Sequence, residues 1–405
     1  MRLKPLKLNR RAAVACALGV AGTAALISGI LALQNRGTRT IDPALERAQS
    51  DKQLPVVASD KLDVLLAEEP RPWLLAQSLP LNGPSGHIGQ RFGVGIDTAL
   101  RDVNAKGGIA GRPIKIWRID DGYEPDAALR NTRWFAAEPD VLALFGYFGT
   151  PTSHAALPVA QAAGLTLVAP LTGASSLRNP GQSNPLHFRA SYAEEAQRIV
   201  DHLVNDGFVR IAVAYQNDAY GKDVLSSTVK ALQQHAIKPI TTAALPRNSV
   251  ETSEAANTIA EANPDALVVI SLSKTMASLV RDLSARRSSP QLMTISPTAT
   301  MALFTDLPQS LSYGIGVTQV VPFPWDGRHP DVALYQRLMR EQQDNASFDF
   351  ISLEGFLAAR WLVQALEAIA PDISRERLIE ELSRTSPDLK RTVDLVFLGS
   401  GPWQP

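Results

Sequence analysis

The 405-residue sequence has a single cysteine, Cys16, close to the amino terminus, so one copy of the chain can form neither a disulfide nor a cysteine-based metal site in its folded body. Compartment must therefore be read from something other than cysteine. Net charge is also missing. The 40 Lys and Arg balance 40 Asp and Glu, which removes the general field that draws nucleic acid or an anionic membrane. No nucleic-acid partner is expected, and any partner has to be recognised locally. Catalytic signatures are lacking too. There is no G-x-S-x-G elbow, no H-E-x-x-H pair and no P-loop, and His87, His154, His187, His202, His235 and His329 show no ligand spacing. Ser153 and His154 are adjacent, and adjacent side chains on a helix diverge. The acids Asp120, Asp121, Glu124 and Asp126 are explained by turn and helix-start chemistry. The chain is expected to be no enzyme, with no catalytic residue, no cofactor and no metal.

Location is written at the amino terminus instead. Arg2, Lys4, Lys7, Arg10 and Arg11 precede residues 12–33, which carry no charge, and this is the pattern of an export signal. A run of about 20 apolar residues spans the hydrocarbon as a helix. Residues 1–33 therefore read as a signal peptide or a membrane anchor, with the remainder periplasmic or otherwise extracytoplasmic. Residues 34–72 are polar and interrupted by Pro43, Pro55, Pro70 and Pro72, as in a linker.

From Trp73 onward, short runs rich in Val, Ile and Leu alternate with segments of helical period, the pattern of parallel strands joined by crossover helices. The expected strands are WLLAQSLPL from Trp73, RPIKIWRID from Arg112, VLALFG from Val141, LTLVAP from Leu165, VRIAVAY from Val209, IKPITTAAL from Ile237, ALVVISL from Ala266 and QLMTIS from Gln291. A helix should start near His87 and stop at the Gly107-Gly108 pair. Another should start at Glu124-Pro125-Asp126. The rhythm runs twice, before and after about Arg189. From Asp331 it gives way to helices and a final strand-like VDLVFLG. The fold class is α/β, and two similar lobes would explain the duplication.

Six segments occur in an order that carries a resemblance: SLPLNGPSGHIGQRFGVGIDTALRDVNAKGGIAGRPIKI, DDGYEPDAALRNTRWF, LFGYFGTPTSHAALPVAQAAGLTLVAPLTGASSLR, FRASYAEEAQRIVDHL, VAYQNDAYGKDVL and NPDALVVISLS. From about Trp73 to Gly401 the chain resembles the type I periplasmic solute-binding proteins, in particular the branched-chain amino-acid-binding (leucine-binding) branch that serves ABC transporters. The resemblance implies two Rossmann-like lobes with parallel sheets, joined by three hinge crossovers, with ligand held at the strand carboxyl ends. It places lobe 1 at 73–189 plus 322–385 and lobe 2 at 190–321 plus 386–405. It implies a small-molecule ligand, closure about the hinge and an ABC permease as partner. A membrane-tethered ligand sensor, anchored by residues 12–33, is the alternative, and a cell-envelope enzyme stands well behind both.

Pro151 following Thr150 places Thr150 at a helix N-cap, where free N–H groups suit an anion. The carboxylate-binding serine of the resembled branch falls on Thr150, although capping its own helix would equally explain this residue. Leu171, Thr172 and Gly173 match the loop that adds backbone amides, with Gly173 where that branch carries Thr or Ser. Tyr220 matches a recurrent cleft tyrosine. The acidic residue that holds an α-ammonium in that branch is replaced by Ser296-Pro297, and an enclosed ammonium without a countercharge is costly. The expected ligand is an organic acid or amide, with an amino acid admitted if Asp121 or Asp218 reaches the cleft.

Overall fold

The computed structural model describes residues 62–178, 185–342, 346–385 and 393–399. The expectations for residues 1–33, and most of those for the linker, lie outside the described residues. Among the described residues, no helix is long and apolar enough to cross a membrane.

Strands β1 (Trp73–Leu79), β2 (Ile114–Asp120), β3 (Val141–Phe145) and β4 (Leu167–Val168) form a parallel sheet in the order β2-β1-β3-β4. Helices α1 (Gly86–Ala105), α2 (Pro125–Ala137) and α3 (Thr150–Ala162) make its connections. Side chains alternate between its faces, as the pleat dictates. Leu75 and Leu79 join the core that holds Phe92 and Ile96 of α1, whereas Leu74 and Ala76 join Trp117, Phe135 and Ala156. Both faces are covered, which is why these strands read as near-continuous apolar runs.

After α4 (Tyr192–Asn205) the chain builds a second sheet from β5 (Ile211–Gln216), β6 (Thr242–Leu245), β7 (Ala266–Ile270), β8 (Gln291–Thr294), β9 (Gly316–Gln319) and β10 (Asp394–Phe397). Its order is β10-β9-β8-β7-β5-β6, parallel except for the antiparallel β10. The connecting helices are α5 (Ala219–Gln234), α6 (Ser253–Ala262), α7 (Ser273–Ala285), α8 (Thr300–Asp306) and the short α9 (Gln309–Ser312). The chain then returns, and α10 (Pro330–Gln342) and α11 (Phe350–Ile369) supply Tyr335, Leu353 and Phe356 to the core around α1. After α12 (Arg375–Arg384), β10 rejoins the second sheet.

The expected strands are all present, some shorter than read. Only Leu167–Val168 of LTLVAP is a strand, because Ala169 turns to φ 49° and Pro170 has no N–H to donate. In IKPITTAAL the strand starts at Thr242, beyond Pro239. Strand β9, with the sequence GVTQ, was not expected; it has one large apolar residue and owes its state to its neighbours β8 and β10. In each sheet the first strand is flanked by the second and the third, so a crevice opens at the carboxyl ends where the winding reverses.

Candidate functional site

The loop after β3 delivers Thr150 to this crevice, but not as the expected N-cap. Gly149 occupies the cap position at φ 90°, a conformation side chains resist, and a Cβ there would lie 2.3 Å from the Tyr123 ring. Thr150 is the first helical residue, and its Oγ1 lies 2.7 Å from Thr172 Oγ1. The loop after β4 is likewise engaged. The Leu171 amide donates to Tyr147 O at 2.7 Å and the Thr172 amide to Pro170 O at 2.8 Å, while Gly173 O accepts from the Tyr192 amide at 2.8 Å. Two of the three amides expected to face ligand are thus taken by this chain's own carbonyls. Any Cβ at position 173 would sit 2.7 Å from the Tyr192 ring, which explains why no Thr or Ser stands there.

Tyr192 hydrogen-bonds the Thr172 side chain, so Thr150, Thr172 and Tyr192 form a chain of hydroxyls. The Tyr220 ring meets Tyr192 edge to face at 5.5 Å, and its buried hydroxyl has no hydrogen-bond partner. Burial, with Tyr192 beside it, pushes the Tyr220 hydroxyl well above its ordinary value. Thr150, Leu171, Thr172, Gly173 and Tyr220 are therefore gathered in one place, all of them buried.

Around Ser296 the structure supplies what its own segment lacks. A capping box, with Glu194 N donating to Ser191 Oγ at 3.2 Å and Ser191 N to Glu194 Oε2 at 2.6 Å, fixes the first turn of α4. The next residue, Glu195, points inward at 0% exposure. It accepts from Ser296 N at 2.8 Å, Thr318 Oγ1 at 2.6 Å and Arg189 Nη2 at 3.1 Å. Arg189 also donates to Ser296 Oγ and lies 3.5 Å from Glu354 of α11. Burial opposes the charge on Arg189, yet Glu354 and Glu195 hold the guanidinium above its usual value. Burial raises Glu354. A buried carboxylate thus does stand at Ser296, committed to an arginine of the same chain. The sequence reading missed it, although the Ser191-x-x-Glu194 capping-box spacing assigns Glu194 to the cap and leaves Glu195 as the acid to place elsewhere.

Neither alternative acid is free. Asp121 accepts from Ser78 Oγ at 2.6 Å and Tyr123 N at 2.8 Å, and burial lifts its carboxyl to about 7. Asp218 caps α5, accepting from Gly221 N at 3.1 Å and Gln216 Nε2 at 2.6 Å. Among the described residues no group of three or more His, Cys, Asp or Glu is placed to hold a metal ion.

The two sheets' loops are joined across the crevice. Arg247 Nη2 reaches Glu124 Oε2 at 2.5 Å, Asn248 Nδ2 reaches Glu124 Oε1 at 2.8 Å, and Ser85 Oγ reaches Asn248 Oδ1 at 3.1 Å. Ser273 Oγ lies 2.9 Å from His87 Nε2. Beside that last contact is a cavity of about 350 Å³, walled by His87, Ile88 and Phe350 from the first-sheet side and Lys274, Met301 and Ala302 from the second.

A profile of the periplasmic binding proteins matches residues 75–394, most of the chain. The chain belongs to the periplasmic binding protein family. A structure described as a possible leucine/isoleucine/valine-binding protein from Rhodopirellula baltica superposes with a TM-score of 0.74 at 31% identity, over 78% of this chain and 88% of that one. A substrate-binding periplasmic protein from Ralstonia solanacearum gives 0.73 at 29% identity, over 76% and 88%. Among curated relatives, an amino acid binding protein of Pseudomonas aeruginosa is 27% identical over 164 residues, 40% of this chain and 43% of that one. A Leu/Ile/Val-binding protein homolog of Brucella melitensis is 25% identical over 198 residues, 47% and 49%. The chain thus spans less than half the length of these curated relatives. The two-sheet α/β architecture is that of type I periplasmic binding proteins. The family and these structural neighbours are solute-binding proteins, not enzymes, and a periplasmic binding protein works outside the cytoplasm.

Proposed function

We propose that this periplasmic binding protein captures a small organic solute between two lobes, residues 73–189 plus 322–385 and 190–321 plus 386–405, and hands it to an ABC permease. The observation that carries the reading is the cavity at the carboxyl ends of both sheets, walled from both sides. A ligand there contacts both lobes only when they are closed, so it stabilises closure by its differential affinity for that state. Relatives described as amino acid or Leu/Ile/Val-binding proteins support a ligand of that size. The buried Arg189 that neutralises Glu195 argues against a free α-ammonium at Ser296. Native mass spectrometry of the purified protein should reveal a co-purified small molecule, and solution scattering should show compaction when it is restored to stripped protein. An unchanged scattering profile at saturation would count against capture by closure.

The uncharged run at residues 12–33 supports a second reading, a membrane-tethered sensor using the same lobes. Membrane fractionation with amino-terminal sequencing separates an anchor from a cleaved signal.

A further inference from the structure

The two turns that meet at Glu124 are each fixed by their own side of the crevice. On the first-sheet side, the turn after β2 is held by its acids. Asp120 Oδ1 accepts from Leu81 N at 2.7 Å and Gly122 N at 2.9 Å, and Asp121 Oδ1 accepts from Tyr123 N at 2.8 Å. Gly122 and Tyr123 are both left-handed, at φ 56° and 65°, a conformation a tyrosine keeps only where its surroundings impose it. Packing of its ring on Phe148 supplies that constraint. On the second-sheet side, residues 246–251 follow β6 and are held by α7, with Thr275 Oγ1 donating to Ser249 O at 2.6 Å and Ser278 Oγ to Val250 O at 2.7 Å. Asn248 is left-handed at φ 52°, which asparagine tolerates.

Where these turns meet, acceptors stand on one side and donors on the other. Arg247 donates to Tyr123 O and Glu124 Oε2, and Asn248 Nδ2 donates to Gly122 O at 3.3 Å and to Glu124 Oε1. Ser85 Oγ returns one bond to Asn248 Oδ1. The Arg247 guanidinium also lies 5.7 Å from the centre of the Tyr123 ring, whose hydroxyl accepts from Gln216 Nε2 at 3.4 Å. A lone exposed ion pair adds little, but here a cation and an amide share one carboxylate and two carbonyls, and both halves are already in place. The side chains of Glu124 and Arg247 are 51% and 25% exposed, so salt can reach and screen the pair.

We propose that the turn 120–124 and the loop 246–251 form a clasp that holds the two lobes closed through this chain's own contacts, ahead of any solute, and that rising ionic strength releases it. This rests on the two-lobe reading above. Closure then has two sources, the clasp and the solute, and the clasp sets the fraction of molecules open to entry.

The test is an interlobe distance, read by double electron–electron resonance between spin labels at Arg130→Cys on α2 and Glu261→Cys on α6, both exposed, in a Cys16→Ser background. The full chain is first stripped of small molecules by unfolding and refolding. At about 0.1 M salt the shorter distance should dominate, and at about 1 M, where the screening length falls from about 10 Å to about 3 Å, the longer one should gain. Arg247→Met should lower the closed-to-open ratio by about tenfold at the lower salt and leave little for salt to do. Glu124→Arg should open the lobes further, and adding Arg247→Glu should restore the shorter distance. The salt series on the parent protein stands even if a variant does not fold. A distance distribution that neither salt nor any of these variants alters overturns the clasp and leaves solute binding standing. A charge swap as open as Glu124→Arg alone overturns the pairing. Absence of any co-purified small molecule removes the solute-binding reading instead, and leaves the clasp.

Discussion

Along the seam between the two sheets, the stretch beside the chain crossovers is filled, and the stretch beside α8 and the start of α11 is hollow. Both lie at strand carboxyl ends, where main-chain geometry opens a crevice in either case. Side-chain size makes the difference. Tyr123, Phe148, Tyr192 and Tyr220 crowd the filled part, with Tyr123 and Phe148 centroids 5.0 Å apart and Tyr192 and Tyr220 centroids 5.5 Å apart. The hollow part presents Ala299, Ala302 and Met301 to Ile88 and Phe350. Polar groups follow the same division. In the filled stretch Arg189, Glu195 and Ser296 are bonded to one another at 4% exposure or less, whereas Lys274 is 49% exposed with donors to spare. The first stretch is closed by its own side chains, and the second leaves space between them.

The largest expected effect tests that division directly. Arg189→Met strands Glu195 and Glu354 without their cation, and breaking a buried pair in this way costs about 3–5 kcal/mol in denaturant unfolding. Lys274→Met removes one side of a partly exposed pair and should cost under about 1 kcal/mol. Comparable losses at the two sites would break the comparison.

A second effect sharpens it by pH. Asp121 is raised to about 7 by burial, against an unfolded value near the ordinary 3.8. The folded chain therefore holds this proton more tightly than the unfolded one. Its contribution to stability is fully present below about pH 4 and is lost as pH rises to about 7, by up to about 4 kcal/mol. Asp121→Asn should flatten the stability profile between pH 4 and 7 measured by denaturant titration. An unaltered slope would mean that another group carries it.

The smallest effect concerns the bridge over the hollow stretch. Ser273→Ala removes the bond to His87 Nε2 and should cost about 1 kcal/mol. The lowered His87 pKa works in the opposite direction to that of Asp121. Its contribution is present above the unfolded value of 6.5 and is lost as pH falls through the lower folded value, with Lys274, Asp306 and Asp349 as the charges facing it. Ligand affinity should accordingly weaken on acidification below about pH 6.5 in the wild type, and less so in His87→Gln. Equal acid sensitivity in the two proteins would exclude the bridge as its source.

Much of this molecule was legible along the chain because strand and helix periods, and the stops at Gly107-Gly108 and Pro125, are local. The α/β class and the strands from β1 to β8 followed from such signals, whereas the gathering of Thr150, Thr172 and Tyr220 was implied by the family resemblance. Strand β9 did not, since GVTQ has no strand-like run and becomes a strand only between β8 and β10. Glu195 did not either. The Ser191-x-x-Glu194 spacing marks Glu194 as the acid that caps α4, but what the neighbouring Glu195 meets when it turns inward is set by Arg189, Ser296 and Thr318 from elsewhere in the chain.

The sequence by itself determined the repeated strand-helix rhythm, and with it a crevice at the carboxyl ends of two parallel sheets, because those depend on periodicity and connection geometry. Only the tertiary structure decided where along that crevice there is room. Whether a hydroxyl is spent on a neighbour, as Thr150 is on Thr172, or a carboxylate oxygen is left without one, as in Asp306, depends on residues far apart in sequence meeting within hydrogen-bond distance. The residual chemistry of a site is a difference between what side chains offer and what the fold has already satisfied, and the second quantity exists only in three dimensions.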